Sequence, residues 1–273
     1  MWTMEAAPQY LLPDDHLDYL GSVLGHQTWP VVLAIEPRHQ HAAELASAHI
    51  LAAEQLRGAG ILCDDRFVDS GVTELLSVAL SILANPETVV EIRRFDASGC
   101  ERMCLARTGD RHVLARRTGG AISVGEIPVS DDDELGAAVA KALGSADAPP
   151  VPSFSAPAEE LRIRLDRAVT AADYADVLHA TGAGDHISAV YSAAFESCTG
   201  HTEIVAIESG PGRRTQSSGA VAVYDTAIGR ILAGPSTSPD GRIWTTLSAG
   251  TPHRISQAVV LLMETLPSGR WMP

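Results

Sequence analysis

The sequence predicts an α+β fold made of two similar halves, and three observations lead there. Residues 88–127 break into four short segments bounded by Gly or Asp, the pattern of an antiparallel meander. Helical periods of apolar residues stand before and after that block. The same order, helices, about four strands and one helix, recurs after a Pro/Ser/Ala linker at 145–157, SADAPPVPSFSAP.

Each element has a local reason. AAELASAHILAAEQLR (42–57) reads as a helix with Leu45, His49, Ala52 and Leu56 on one face, stopped by Gly58 and Gly60. VTELLSVALSILA (72–84) is a second helix, ended by Asn85-Pro86. TVVEIRRF (88–95), ERMCLARTG (101–109), DRHVLARRT (110–118) and GAISVGEI (120–127) are the meander strands. Ser130-Asp131-Asp132-Asp133 caps a helix at 134–144, with its carboxylates at the positive end. Beyond the linker, helices are expected at 158–169 and 172–181, and strands at 202–208, 219–226, 229–234 and 242–248. Ser238-Pro239-Asp240-Gly241 has the composition of a hairpin turn. Thr251-Pro252 opens the last helix, whose stripe is Ile255, Val259, Leu262 and Leu266.

The halves are expected as pseudo-repeats over roughly 30–146 and 157–268, within one domain spanning 1–273. VVEI (89–92) aligns with TEIV (202–205), RHVLAR (111–116) with GRILAG (229–234), and GAISVGEI (120–127) with GRIWTTLS (241–248). Identities are few, so element order carries the repeat. Two such units would join into one sheet with a pseudo-two-fold relation.

Composition narrows the function. The 273 residues carry a formal charge of −14, and Lys141 is the only lysine. Such a chain repels nucleic acid and anionic membranes, so neither is an expected partner. With 45% hydrophobic but only 5% aromatic residues, the core must be built from Ala, Val, Leu and Ile. Cys63, Cys100, Cys104 and Cys198 form no CxxC pair and read as reduced thiols. MWTMEAAPQYLLPDDHLDYL lacks the basic and apolar regions of a secretory signal, and AVVLLM (258–263) is too short to span a bilayer. A cytoplasmic protein is expected.

No set of residues points to chemistry, and no metal or cofactor is expected. His39 and His41, between Glu36 and Glu44, precede a helix and point apart. Cys198, His201 and Glu203 are close in sequence, which rarely gives nucleophile geometry. Trp244 reads as core or rim packing. The glycine-rich SGPGRRTQSSG (209–219) precedes a strand, whereas a phosphate cradle precedes a helix. It reads as a hairpin loop, either simply solvated or ordered by a partner.

The C-terminal block, GRILAGPSTSPDGRIWTTLSAGTPHRISQAVVLLMETLPSGRW (229–271), resembles the EspG family, cytosolic chaperones associated with type VII (ESX) secretion. The residues concerned are Gly229-Arg230, Asp240-Gly241, Thr245-Thr246, Gly250-Thr251, Arg254-Ile255, Leu266-Pro267 and Trp271. Trp29, Pro30 and Leu33, then Leu56 and Gly60-Ile61, agree in the N-terminal third. The likeness covers most of the chain and is weakest through 96–220.

This resemblance implies a quasi-two-fold fold with a mostly antiparallel central sheet flanked by two helical bundles. It implies a non-enzymatic chaperone that binds PE–PPE heterodimers at the PPE tip, keeps them soluble and directs them to an ESX system. In that light, Arg213, Arg214 and Gln216 of 209–219 are expected at the rim of the partner site. Asp96 and Ser98 join them from Asp96-Ala97-Ser98-Gly99-Cys100, the first-half counterpart. That connection is short where some family members carry a long mobile loop. Exposed strand edges would allow a homodimer. The rival reading is a small-molecule binder or enzyme with a cleft between the pseudo-repeats.

Overall fold

The computed structural model of the chain describes residues 9–36, 38–237 and 242–273. The hairpin turn expected at 238–241 lies outside the described residues. The fold is α+β, with eight α-helices and thirteen strands among the described residues. The chain forms two compact units. Met1–Glu91 with Glu101–Pro128 make the first, and Ile92–Cys100 with Val129–Pro273 make the second.

The first unit runs β1 (Tyr10–Pro13), α1 (Asp14–Leu24), α2 (Ala42–Gly58), a ribbon of β2 (Leu62–Cys63) and β3 (Arg66–Phe67), and α3 (Gly71–Ala84). The meander follows as β4 (Thr88–Asp96), β5 (Gly99–Thr108), β6 (Arg111–Thr118) and β7 (Ala121–Glu126). Strand order is β1-β7-β6-β5-β4. Tyr10, Val124, Ala115 and Cys104 stand opposite one another across four strands. That row shares one face, so Cys104 is core and burial raises its thiol pKa. The buried Asp14 at the start of α1 accepts two hydrogen bonds from Arg117 on β6, both 2.8 Å. β1 and α1 were not anticipated, although Leu17, Leu20 and Leu24 have helical spacing behind Asp14-Asp15.

The second unit comprises the end of β4 with its turn, α4 (Asp132–Ala142), β8 (Phe154–Pro157), α5 (Ala158–Leu165), α6 (Ala171–Ala180) and α7 (Asp185–Glu196). It continues with β9 (Cys198–Gly210), β10 (Arg213–Gln216), β11 (Val221–Thr226), β12 (Gly229–Thr237), β13 (Ile243–Ala249) and α8 (Pro252–Met263). Strand order is β9-β11-β12-β13-β8, with β10 paired to β9.

Two expectations need correcting. The stretch 145–157 is not all linker, because Phe154–Pro157 pairs with β13. Phe154 and Ala156 are buried, and Pro157 is tolerated because β8 is an edge strand. Helix α7 was not anticipated at all. Its Ala/Ser-rich sequence hides a stripe of Ile187, Tyr191, Ala194 and Phe195, of which the last three are buried.

The sheet of the second unit has two faces, set by strand alternation. Thr202, Val223, Leu232 and Ser248 stand opposite one another on one face, all buried. Helix α8 lies against this face: a Cβ on Gly234 would come within 3.1 Å of Ala258 Cβ. Helix α4 crosses α8 closely, and a Cβ on Gly136 would lie 2.6 Å from the Ser256 carbonyl oxygen and 2.8 Å from its Cα. On the other face, Ala222, Ala233, Leu247 and Phe154 stand in line beneath α5, α6 and α7, packed with Leu161, Leu178, Tyr191 and Phe195.

Gly136→Ala should therefore destabilise the fold by about 1–3 kcal/mol, since backbone atoms must move to admit the methyl group. Gly58→Ala, at the open end of α2 with no atom within 4 Å, should be neutral or slightly stabilising. Urea unfolding of the two variants checks the contrast.

Candidate functional site

Strand β9 is thirteen residues long, and its two faces differ. Thr202, Ile204 and Ala206 are buried on the α8 side. His201, Val205, Ile207 and Ser209 are half-buried on the other side, and Glu203 is exposed. The bundle of α5, α6 and α7 covers β8, β13, β12 and β11 on that second face. No β9 residue belongs to that cluster, so the apolar pair Val205 and Ile207 remains half-buried, with polar Glu203 and Ser209 at its two ends.

An aromatic ladder joins this open row to the bundle. Phe95 stacks on His201 with ring centroids 4.8 Å apart, and His201 tilts toward Tyr224 at 6.5 Å. Tyr224 meets Phe195 of α7 edge-on at 5.2 Å, and Phe195 contacts Tyr174 of α6 at 5.6 Å. The ladder thus links side chains of β4, β9 and β11 to α7 and α6. Burial, helped by the nearby Cys198 and Glu203, pushes the Tyr224 hydroxyl up to about 12.

The expected loop at 209–219 is a hairpin extension of the sheet. Pro211 and Gly212, the latter at φ +69°, make the two-residue turn of the type II pattern. Arg213–Gln216 then pairs back on β9, with Arg214 opposite Ser209 and Gln216 opposite Ile207. Beyond it, residues 217–220 stand opposite Val205 and Ala206, a bulge with two extra residues. Ser217 fills the gap: its amide donates to the Ala206 carbonyl at 2.8 Å, and its hydroxyl accepts from the Ala206 amide at 3.2 Å. The even insertion keeps side chains on their faces.

Arg214 and Gln216 therefore share the open face with Val205 and Ile207. Arg213 projects to the opposite face, with Thr215 and its partner Glu208. Glu208 is held there by the Ser268 amide at 2.9 Å and hydroxyl at 2.8 Å.

The structure does not bring Asp96 and Ser98 to these residues. Asp96 ends β4 and Ser98 lies in the two-residue turn Ala97-Ser98 before β5, where Asp96 Oδ1 accepts from the Ser98 amide at 2.7 Å and from its hydroxyl. Those bonds hold the Asp96 carboxyl below its ordinary range. A Cβ on Gly200, near the start of β9, would lie 3.2 Å from Asp96 Cβ. Gly210, opposite Arg213, is ten residues farther on, on the order of 30 Å along the strand.

The remaining candidates have structural roles. Asp131 caps α4 by accepting from the Glu134 amide at 2.8 Å, as expected for that acidic run. His39 is half-buried and bonds Asp15 at 3.1 Å, while His41 is exposed. Cys198 Sγ bonds the Gly200 carbonyl at 3.2 Å, and burial raises its pKa, which suits neither a nucleophile nor a thiolate ligand. Among the described residues, no group of three or more His, Cys, Asp or Glu is placed to hold a metal ion. No helix among them is long and apolar enough to cross a membrane.

The sequence did not single out Val205, Ile207, Phe95 or Tyr224 as surface residues. One signal was present: TEIVAIE (202–208) is apolar on both faces, more than a single helical layer needs.

The fold class is therefore α+β, an antiparallel sheet with a helical bundle on one face and a half-buried apolar pair on β9. Residues 13–260 match the EspG family, and the chain belongs to it. It is similar to the ESX-3 secretion-associated protein EspG3 of Mycobacterium tuberculosis (strain CDC 1551), at 24% identity over 99% of this chain and 96% of that one. It is also similar to the ESX-1 secretion-associated protein EspG1 of M. tuberculosis (strain H37Rv), at 30% identity over 70% of this chain and 65% of that one. In fold it resembles the M. tuberculosis type VII secretion system chaperone EspG5, solved in complex with a PE25–PPE41 dimer. The TM-score is 0.79 at 18% identity, covering 97% of this chain and 99% of the other.

Raising a buried tyrosine's pKa links stability to alkaline pH. The unfolded hydroxyl ionises near its ordinary value of about 10, before the folded one, so Tyr224's contribution is intact below that pH. It is lost as pH climbs from there toward 12. Tyr224→Phe should flatten part of the fall in urea-unfolding free energy across that window.

Proposed function

We propose that this chain is a cytosolic chaperone of PE–PPE heterodimers, and that the open face of β9 receives the PPE tip. In this reading it keeps the heterodimer soluble and directs it to a type VII secretion system without catalysing a reaction. The observation that carries the proposal is the row of Val205 and Ile207, half-buried beside the aromatic ladder and rimmed by Glu203, Arg214 and Gln216. Helical-bundle tips present apolar side chains that self-associate when exposed. An apolar strip with a polar rim covers such a tip reversibly. Family membership and the ESX names of the relatives support the assignment. So does the complex of EspG5 with PE25–PPE41.

Two finer points belong to the same proposal. The chain acts as one EspG-like domain, and its halves descend from one repeated element order. Each unit contains a four-residue strand that ends in proline and runs straight into a helix, β1 into α1 and β8 into α5. A homodimer through strand edges is an alternative state of the free chaperone.

Co-expression with PE–PPE pairs from the same genome, followed by pull-down and size-exclusion light scattering, tests the proposal. A 1:1:1 complex with PE–PPE aggregation suppressed is expected. Light scattering of the free chain also reports its oligomeric state. Failure with every soluble pair would remove the function and turn attention to ligands. Exchanging both Arg213 and Arg214 for Glu should weaken binding without unfolding the chain. The faces add a sharper expectation: Arg214→Glu alone should account for most of the loss, and Arg213→Glu for little. Equal effects would place the contact at the hairpin edge and not on the β9 face.

A further inference from the structure

The first unit has a groove of its own, about 730 Å³, walled by α1, residues 25–29, 35, 36, 38 and 39, and the first half of α2. Sequence features that the proposed function leaves unused meet there. Trp29 forms one wall, its ring so close to α1 that a Cβ on Gly21 would lie 3.0 Å from Trp29 Cζ2. Ile35 and Leu45 complete the apolar surface. Leu45 shares a stripe of α2 with the buried Ala52 and Leu56, yet it stays 36% exposed because the groove opens beside it.

Carboxylates line the same groove, from Asp15, Asp18 and Glu36. His39 bonds Asp15 at 3.1 Å, and His49 bonds Asp18 at 2.7 Å. These bonds fix the carboxylates in place. Arg38 is directed instead to Asp14, at 3.6 Å, which Arg117 also holds. The groove therefore combines an indole, two aliphatic side chains and fixed negative charge.

We propose that this groove is a second docking surface, one that takes an arginine-bearing segment of a protein partner. An arginine side chain has the matching parts: an aliphatic stem for Ile35 and Leu45, and a planar cationic head for the indole face and the carboxylates. The acidity of the whole chain draws such a segment in. None of the residues lining the groove belongs to β9, so either proposal can fail without the other.

Fluorescence anisotropy with fluorescein-labelled tetra-arginine, at about 0.15 M salt, tests it on the full chain. The wild type should bind saturably. Asp15→Asn with Asp18→Asn should weaken binding roughly tenfold or more. Glu159→Gln with Glu160→Gln, an equal change of charge on α5, should leave it unchanged. Glu36→Gln, at an exposed residue, gives the same readout with a smaller loss should the aspartate pair unfold the chain. Equal losses in the two double variants would mean diffuse attraction to an acidic protein and would overturn the proposal. Absence of saturable binding would overturn it too, as would spermidine binding as tightly as the peptide.

Discussion

A β-strand sends alternate side chains to opposite faces, and everything distinctive about this molecule follows from how β9 satisfies that rule. Ile204 and Ala206 need cover, and α8 supplies it. Val205 and Ile207 need cover as well, but α5, α6 and α7 reach only as far as β11. One face of a thirteen-residue strand is thus closed by the chain itself, and the other stays half-buried. The hairpin of Arg213–Gln216 lengthens the open face, and its even bulge keeps Arg214 and Gln216 on it.

The family's C-terminal signature has a structural explanation in the closed face. Gly229 has φ +115°, and a Cβ there would lie 2.7 Å from the Asp147 carbonyl oxygen. Arg230 is buried, paired with Asp225 at 2.7 Å, and donates to the Gly144 carbonyl at 2.8 Å and to that of Leu143. It thereby satisfies carbonyls at the C-terminal end of α4. Gly250 has no room for a side chain beside Arg230, and Thr251 caps α8 by accepting from the Arg254 amide. Trp271 is fully buried, and its amide bonds Asp132 Oδ1 at 3.1 Å, which ties the end of the chain to the start of α4. These residues fix α4 and α8 against the sheet. They do not line the half-buried face of β9, so the family signature and the proposed interface involve different residues.

The same division governs what could be read from the sequence. Strands β4 to β7 and β11 to β13, helices α2 to α6, and the Thr251-Pro252 start of α8 were legible because caps, turns and apolar periods are local signals. Helix α7 was missed because Ala and Ser blur its stripe, and β8 because Pro and Ser look like linker until Phe154 and Ala156 find β13. Strand β10 was missed for a related reason: Arg-Arg-Thr-Gln has no alternation of its own and owes its extended form to pairing with β9. The site was the least legible part. Arg214 and Gln216 were singled out, but their face depends on register, and register is a tertiary property. Phe95 stacks on His201, and His201 tilts toward Tyr224, only because the fold brings together residues far apart in sequence.

An open apolar face must also avoid capturing the wrong partner, and its composition shows how. Fully burying a side chain such as Val or Ile is worth about 1.5–3 kcal/mol, and Val205 and Ile207 have already gained part of that by being half-buried. What remains is too little, residue by residue, to offset the freedom lost on association. Glu203 and Ser209 flank the row at its two ends, while Arg214 and Gln216 border it, so a flat apolar surface would leave their polar groups poorly solvated. Only a partner that covers the whole row and also answers its polar rim gains enough to stay. A net charge of −14 opposes non-specific clustering of such faces. In the proposed role, selectivity arises from leaving each contact individually weak, which also lets the face release its partner.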